Sequence, residues 1–310
     1  MREIGIGVLG FGTVGAGVVE GLFKNGDLIA GRSGIFPVVK KIADLDVQSD
    51  RGISLPADIL TTDAAAVIAD EEVDIVVELV GGTAIAKDLT EQALRLGKPV
   101  VTANKALLAD HGAELYALAD ERDTGIYYEA AVGGGIPVLR AQREGLIGNQ
   151  IESIFGILNG TCNYILTRME REGLPFDDVL ADAQALGYAE TPPDLDIDGI
   201  DTAHKAVLLA SMAYGAAVPM EACPTSGIRG LSKVDIANAD ELGYRIKLLA
   251  IIKRHAGSVE LSVEAALVPK AAMIGSVNEV EKSIALLNQA MDELLEEGFA
   301  IKKPAIGIMI

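Results

Sequence analysis

Residues 4–22, IGIGVLGFGTVGAGVVEGL, decide the first half of the fold. Residues 4–9 read as a short buried strand, Gly10-Phe11-Gly12-Thr13-Val14-Gly15 as a GxGxxG turn, and the apolar residues through about Leu22 as a helix. Each glycine has a physical task. Gly10 permits the tight turn, Gly12 lets backbone approach a pyrophosphate, and Gly15 lets helix and strand pack closely. Thr13 and Val14 complete the loop, where unpaired amides at the helix start face phosphate oxygens. The strand-to-helix junction is what separates this dinucleotide fingerprint from a chance glycine turn.

Further along, residues 38–43 read as a second strand ending at Asp44, an acid placed to hydrogen-bond the ribose hydroxyls of NAD. The interval from Gly15 to Asp44 exceeds the usual ~20 residues, which predicts an inserted loop around residues 25–36. No arginine directly follows the strand. A 2′-phosphate would have to find Lys40, Lys41 or Arg51, so the reading favours NAD over NADP.

Strand and helix then alternate: strand over 73–80, helix over 86–96, strand over 99–102, helix over 107–123. That alternation implies a doubly wound parallel sheet, a Rossmann domain. Glycines in residues 127–137 break the pattern and mark a boundary. Beyond it, strands are predicted over 151–158, 246–253 and 259–268. Helices are predicted over 165–172, 176–186, 203–214 and, in part, 240–249. The fold class is thus α/β, with an N-terminal Rossmann domain over 1–133, a second, α+β substrate domain over 134–273, and an atypical tail over 274–310.

Composition narrows the function classes. A chain of 310 residues that is 50% hydrophobic can bury two ordinary cores. A net charge of −19 with 4% aromatic residues argues against a nucleic-acid partner, which wants basic patches and stacking rings. Cys162 and Cys223 have no CxxC or histidine partner nearby, so neither a zinc site nor a disulfide framework is expected. No leader precedes the first strand and no apolar run reaches the ~18–20 residues that span a bilayer. The expectation is a cytoplasmic protein with no membrane partner.

Residues 186–205, LGYAETPPDLDIDGIDTAHK, are the second informative stretch. Glu190, Asp194, Asp196, Asp198 and Asp201 crowd like charge around Pro192 and Pro193, just ahead of an apolar helix. The prolines predict a stiff, extended segment that presents the acids. The helix is predicted to open near Asp201, whose carboxylate could cap its first amides. Lys205 lies one turn on, and the face it shares with Asp201 continues as Leu208 and Met212. Two readings fit: a surface ion pair worth roughly 0.2–0.5 kcal/mol, or a pocket in which carboxylates hold a substrate ammonium and the lysine addresses an oxygen that changes charge.

Six ordered motifs carry a family resemblance over residues 1 to about 273. They are the GFGTVG turn, VVELVGG at 76–82, TANKALLADHG at 102–112, EAAVGGGIPV at 129–138, NGTCNYIL at 159–166, and the acidic run with its DTAHK end. The chain resembles homoserine dehydrogenases. That resemblance implies reversible, NAD(P)-dependent oxidation of L-homoserine to L-aspartate 4-semialdehyde in threonine and methionine biosynthesis. It further implies a catalytic pair, Lys105 and Lys205, with the proton-transferring member left open between them. Glu190, Asp196, Asp201, Tyr188 and Thr161 are implied around the substrate, with Asn159 and Gly160 beside the nicotinamide. A monovalent cation, Na+, is implied at Glu129, Val132, Gly134 and Ile136, largely through backbone oxygens, and a homodimer through the second domain's sheet.

Two departures accompany the resemblance. Where the family shows Asp-Pro after the glutamate of the acidic run, this chain has Pro192-Pro193. Past about residue 273 the family continues into a strand and a GxGAGxxPTASAV segment that this chain lacks. From about 275 it instead resembles a fragment of the phosphoenolpyruvate-utilising barrel of phosphotransferase-system enzyme I, predicting a helix over 277–297 and a strand over 305–310. A working dehydrogenase is therefore expected, with a cofactor-binding but catalytically impaired relative as the alternative. Phosphoenolpyruvate-dependent transfer is a distant third, because the tail stops short of the barrel's catalytic residues. No feedback inhibition through an appended domain is expected.

Overall fold

The computed structural model describes residues 1–278 and the backbone of 283–288. The chain divides into two compact units, Met1–Ala131 and the remainder from Val132.

The first unit is built on strand β1 (Arg2–Leu9), whose last five residues are all buried, as expected of a strand covered on both faces. Helix α1 (Thr13–Ser33) follows and leads into β2 (Ile35–Ala43). Then come β3 (Leu60–Thr61), α2 (Ala64–Ala69), β4 (Ile75–Glu78), α3 (Ala84–Arg95), β5 (Val100–Thr102), α4 (Lys105–Glu121) and β6 (Ile126–Tyr127). All pairings are parallel, in the order β3-β2-β1-β4-β5-β6. The order reverses between β1 and β4, and in such sheets the crevice beyond the strand ends at that reversal is where ligands bind. A core of Ile6, Val8, Val19, Val39, Ile42 and Val77 fixes α1 on the sheet.

The long interval before Asp44 is helix, not an inserted loop. α1 runs through residues 25–33 because Gly26 is buried against the ring of Phe36, 3.5 Å from where a Cβ would stand, which lets the helix lie close on β2. It ends at Gly34, whose φ of 75° suits a left-handed helix stop. The Asn25-Gly26-Asp27 run reads as a break in sequence only because its glycine serves packing.

In the second unit, a short helix α5 (Val138–Arg140) runs into a π-turn over Ala141–Gly145. Next are β7 (Ile151–Ile157), α6 (Gly160–Glu172), α7 (Phe176–Ala185), α8 (Asp194–Ile197), α9 (Ile200–Tyr214) and α10 (Lys233–Glu241). The β8 (Tyr244–His255) and β9 (Ser258–Pro269) hairpin follows, then β10 (Ser283–Asn288). The sheet is antiparallel, ordered β10-β7-β8-β9.

Several elements differ from the sequence expectation. The helix near 240–249 lies earlier, as α10, set by a Ser232–Asp235 capping box and stopped before Gly243, while 244–249 belong to β8. Asp194–Ile197 forms a single helical turn just after the prolines rather than an extended segment, since Pro193 is acceptable immediately before a helix. α9 opens at Gly199 without a side-chain cap, because the Asp201 carboxylate is engaged elsewhere.

The predicted helix over 277–297 is overturned where it is described. Val277 is extended and fully buried with Ile157, Leu249, Ile251 and Val268, and Ser283–Asn288 pairs with β7 as a strand. That pairing satisfies backbone groups along the edge of β7 that would otherwise need water. The rest of that predicted helix, and the predicted strand over 305–310, lie outside the described residues.

Candidate active site

In the first unit, the glycine turn forms a cradle. Gly10 has φ 93°, and a Cβ there would stand 2.5 Å from the Leu79 carbonyl oxygen; one on Gly15 would stand 2.0 Å from that of Gly10. Gly12 faces open space, with nothing within 4 Å of a Cβ position. Backbone is thus packed tightly beneath the turn and left bare above it, as close approach of a pyrophosphate requires. Thr13 and Val14, both exposed, start α1 beside it.

A cleft of about 350 Å³ opens at this turn, lined by Gly10, Gly12, Asp44, Leu45, Val80 and Ile85 among others. Asp44 is where the sequence places it, at the end of β2. Its Oδ2 accepts from Phe11 N at 2.5 Å and its Oδ1 from Asp46 N at 2.8 Å, so the acid also ties the glycine turn to the next loop. The three candidate phosphate partners are engaged: Lys40 with Glu72 at 3.5 Å, Lys41 with the Asp58 carbonyl at 2.9 Å, Arg51 with Asp46 at 3.0 Å.

A smaller cleft of about 170 Å³ is lined by Val14, Val80, Gly82, Ala103 and Asn104. Lys105 is the first residue of α4, whose cap is Asn104: its Oδ1 accepts from Leu107 N at 3.1 Å. Glu78, buried below, accepts hydrogen bonds from Thr102 and Val80 N. Burial pushes the Glu78 carboxyl above its ordinary value, and these donors pull it back only in part. In the sequence Glu78 stands out as an acid inside the apolar run 75–80.

Glu129 begins a short 3₁₀ turn in the first unit. Val132, Gly134 and Ile136 stand in the turn that opens the second, where the Ile136 carbonyl accepts from Val138 N at 2.8 Å. Among the described residues there is no group of three or more His, Cys, Asp or Glu side chains suited to a metal.

In the second unit, the acidic run is sorted. Asn159 caps α6, its Oδ1 accepting from Cys162 N at 2.8 Å, and its Nδ2 donates to Asp196 Oδ1 at 2.7 Å and Asp201 Oδ2 at 2.9 Å. Lys205 Nζ donates to the same Asp201 oxygen at 2.5 Å and to the Leu158 carbonyl at 2.9 Å. Both side chains of the pair are only 12% exposed, which places it well inside the regime where losing one partner is costly. The surface ion pair is therefore the wrong reading.

Asp194 and Asp198 face outward instead, held by Arg229 at 2.5 Å and 2.6 Å. That clamp was not legible, because Arg229 is distant in sequence and stands in no motif. Thr161 Oγ1 donates to the Tyr188 carbonyl at 2.5 Å, and the Tyr188 ring meets Tyr164 edge-on with centroids 5.0 Å apart. Gly160 begins α6. Glu190 is exposed on the loop before α8, where its carbonyl accepts from Gln184. Burial holds the Cys162 thiol well above its ordinary value, which makes it inert.

A glycine turn opening a parallel sheet, with an acid at the end of the second strand, defines the nicotinamide-dinucleotide-binding class of α/β proteins. Comparison with known proteins gives the family. Residues 10–129 match the homoserine dehydrogenase NAD binding domain, and residues 137–302 the homoserine dehydrogenase domain. The homoserine dehydrogenase of Neisseria gonorrhoeae is 42% identical over 298 residues, covering 96% of this chain and 68% of its own. The crystal structure of a homoserine dehydrogenase from Thiobacillus denitrificans superposes with a TM-score of 0.89 at 44% identity, covering 94% of this chain and 67% of that one. A hyperthermophilic archaeal homoserine dehydrogenase in complex with NADPH gives a TM-score of 0.75 at 28% identity, covering 93% and 88%. The chain belongs to the homoserine dehydrogenase family. Its likeness runs through residue 302, past the residue 273 at which the resemblance read from the sequence was expected to end.

Proposed function

We propose that this chain catalyses the reversible NAD(P)-dependent oxidation of L-homoserine to L-aspartate 4-semialdehyde, a step of threonine and methionine biosynthesis. Residues 1–133 act as the dinucleotide domain and 134–273 as the substrate domain. The observation that carries the reading is the Asn159–Asp196–Asp201–Lys205 cluster. It is a part-buried ammonium held by the Asp201 carboxylate and the Leu158 carbonyl, with Asn159 tying Asp196 to that same carboxylate, in a unit that belongs to this family.

Bound nicotinamide supplies the acceptor, or the donor, of the hydride. The protein's residues manage charge and protons. Asp196, with Glu190, takes the substrate ammonium, and Tyr188 and Thr161 shape the wall around it. As the C4 carbon loses hydride, its hydroxyl proton passes to a lysine amine, Lys105 or Lys205; in reverse, the ammonium stabilises the growing oxyanion and returns the proton. Asp201 orients Lys205 for that exchange. Gly10, Gly12, Thr13, Val14 and Gly15 receive the pyrophosphate, Asp44 the ribose, and Asn159 and Gly160 stand beside the nicotinamide. The bare backbone above Gly12 supports the fit.

NAD is the favoured cofactor, supported by Asp44 in the cleft and by the engagement of Lys40, Lys41 and Arg51 with other groups. A sodium ion at Glu129, Val132, Gly134 and Ile136 would meet one carboxylate and three peptide oxygens, hard donors that suit an alkali cation. A homodimer through the second unit's sheet is supported by exposed Val259, Leu267 and Tyr244 on its hairpin, and sedimentation would test it. A cytoplasmic setting follows from the cofactor pool such a reaction draws on. Among the described residues no helix is long and apolar enough to cross a membrane.

The alternative, catalysis impaired by an exchanged tail, loses support from β10 on β7 and from a family likeness that reaches 302. The enzyme I likeness from about 275 adds no chemistry. Reduced-cofactor absorbance followed with L-homoserine at alkaline pH decides. Substrate-dependent formation of NADH or NADPH supports the reading, and binding without turnover supports the alternative.

A further inference from the structure

Glu78 is a fully buried acid that the proposed chemistry does not use. It ends β4, and its oxygens accept from Val80 N at 2.7 Å and Thr102 Oγ1 at 2.6 Å. The Thr102 oxygen in turn accepts from Asn104 N at 2.9 Å. Asn104 Nδ2 then donates to the Gly82 carbonyl at 2.8 Å and the Val80 carbonyl at 3.3 Å, and its Oδ1 caps α4. One carboxylate therefore links the loop after β4 to the loop after β5. Residues 80–82 and 103–104 of those loops line the smaller cleft, and Lys105 comes next in the chain.

An apolar residue would fill this position without the cost of burying an acid. The acid makes sense if the loops must be held in one arrangement. Every partner is a donor, which matches the ionised carboxylate. We propose that Glu78 is a positioning residue for the cofactor cleft, its carboxylate fixing residues 80–82 and 102–104 so that they receive the dinucleotide and present Lys105. This deepens the dehydrogenase reading and rests on it.

Three variants test it. Glu78→Gln keeps the shape but turns one acceptor into a donor, Thr102→Val removes the hydroxyl link, and Thr102→Ser restores it. Each is titrated with NADH and NADPH by nicotinamide fluorescence, with Tm measured beside it. The expected result is about a tenfold rise in Kd for Glu78→Gln and Thr102→Val, and a return to within about twofold of the parent for Thr102→Ser. kcat should fall more than the KM for homoserine rises. If Glu78→Gln does not fold, Thr102→Val and Thr102→Ser carry the comparison. A lowered Tm with parent-like Kd and kcat in Glu78→Gln and Thr102→Val would make the network merely structural and overturn the proposal alone. A parent that binds neither cofactor would overturn the dehydrogenase reading, and the proposal with it.

Discussion

At the residue scale the two lysines make different demands. Lys205 sits in a preformed, part-buried charge cluster, whereas Lys105 starts a helix whose cap is fixed by Asn104. Replacing either by Ala should lower turnover at least ~10²-fold, the scale of a lost general acid or charge stabiliser, while the dinucleotide still binds. A fully active Lys205→Ala protein would remove it from the mechanism. Asp44 would act through charge: an acid beside the ribose would repel a 2′-phosphate, so Asp44→Ala should narrow the proposed preference for NAD over NADP. The change should be modest, since Asp44 also braces Phe11. A parent that already prefers NADP would point to Lys40, Lys41 or Arg51 instead. Glu78 gives a pH signature. Its native pKa is raised above the ordinary 4.5, so the folded chain holds that proton more tightly than the unfolded one. The resulting contribution to stability is fully present below the ordinary value and is lost as pH rises through the raised one. Measured against Glu78→Gln, which has no such proton, the parent's Tm should fall as pH rises from about 4.5; a Tm difference flat with pH would contradict the shift.

At the scale of elements, what was legible depended on whether a local pattern matched its tertiary partner. The first strand and turn were legible because hydrophobic period and glycine spacing agree with the parallel sheet they enter. The end of α1 was not, since Gly26 looks like a breaker until Phe36 is known to lie on it. Asp201 was read as a cap because a first-turn acid usually serves that way, and a lysine one turn on together with Asn159 outcompeted the free amides. β3, α2 and β6 are too short to show a period. Residues 283–288 were misread because their apolar run, Ile284 to Leu287, fits a helical stripe as well as a strand, and only an available edge arbitrates. β7 supplies that edge, pairing Ser283 with Ile157 through Asn288 with Ile151. Hydrogen exchange should therefore find alternate amides of 283–288 protected on a timescale near that of β7. Exchange as fast as in an unstructured peptide would detach this strand from the sheet and restore the impaired-enzyme alternative.

At the scale of the whole molecule, charge and function pull in opposite directions. The chain carries −19 at pH 7, and its proposed cofactor in the reduced form is itself an anion. Long-range repulsion should slow their encounter, while the amides at the start of α1 attract phosphate only at short range. Salt separates the two. Raising ionic strength from 0.01 to 0.15 M shortens the Debye length from about 30 Å to about 8 Å, which screens the distant acids far more than contacts inside a cleft. The association rate of NADH should therefore rise a few-fold over that range, with little change in its dissociation rate, and Tm should rise as self-repulsion is relieved. A nucleic-acid-binding protein would show the reverse, because its basic surface loses attraction as salt increases. Stopped-flow fluorescence at graded salt measures the sign. An association rate that falls with salt would mean that positive potential at the cleft mouth outweighs the acidic whole, and would direct attention to Arg51, which lines a neighbouring cleft beside Thr13.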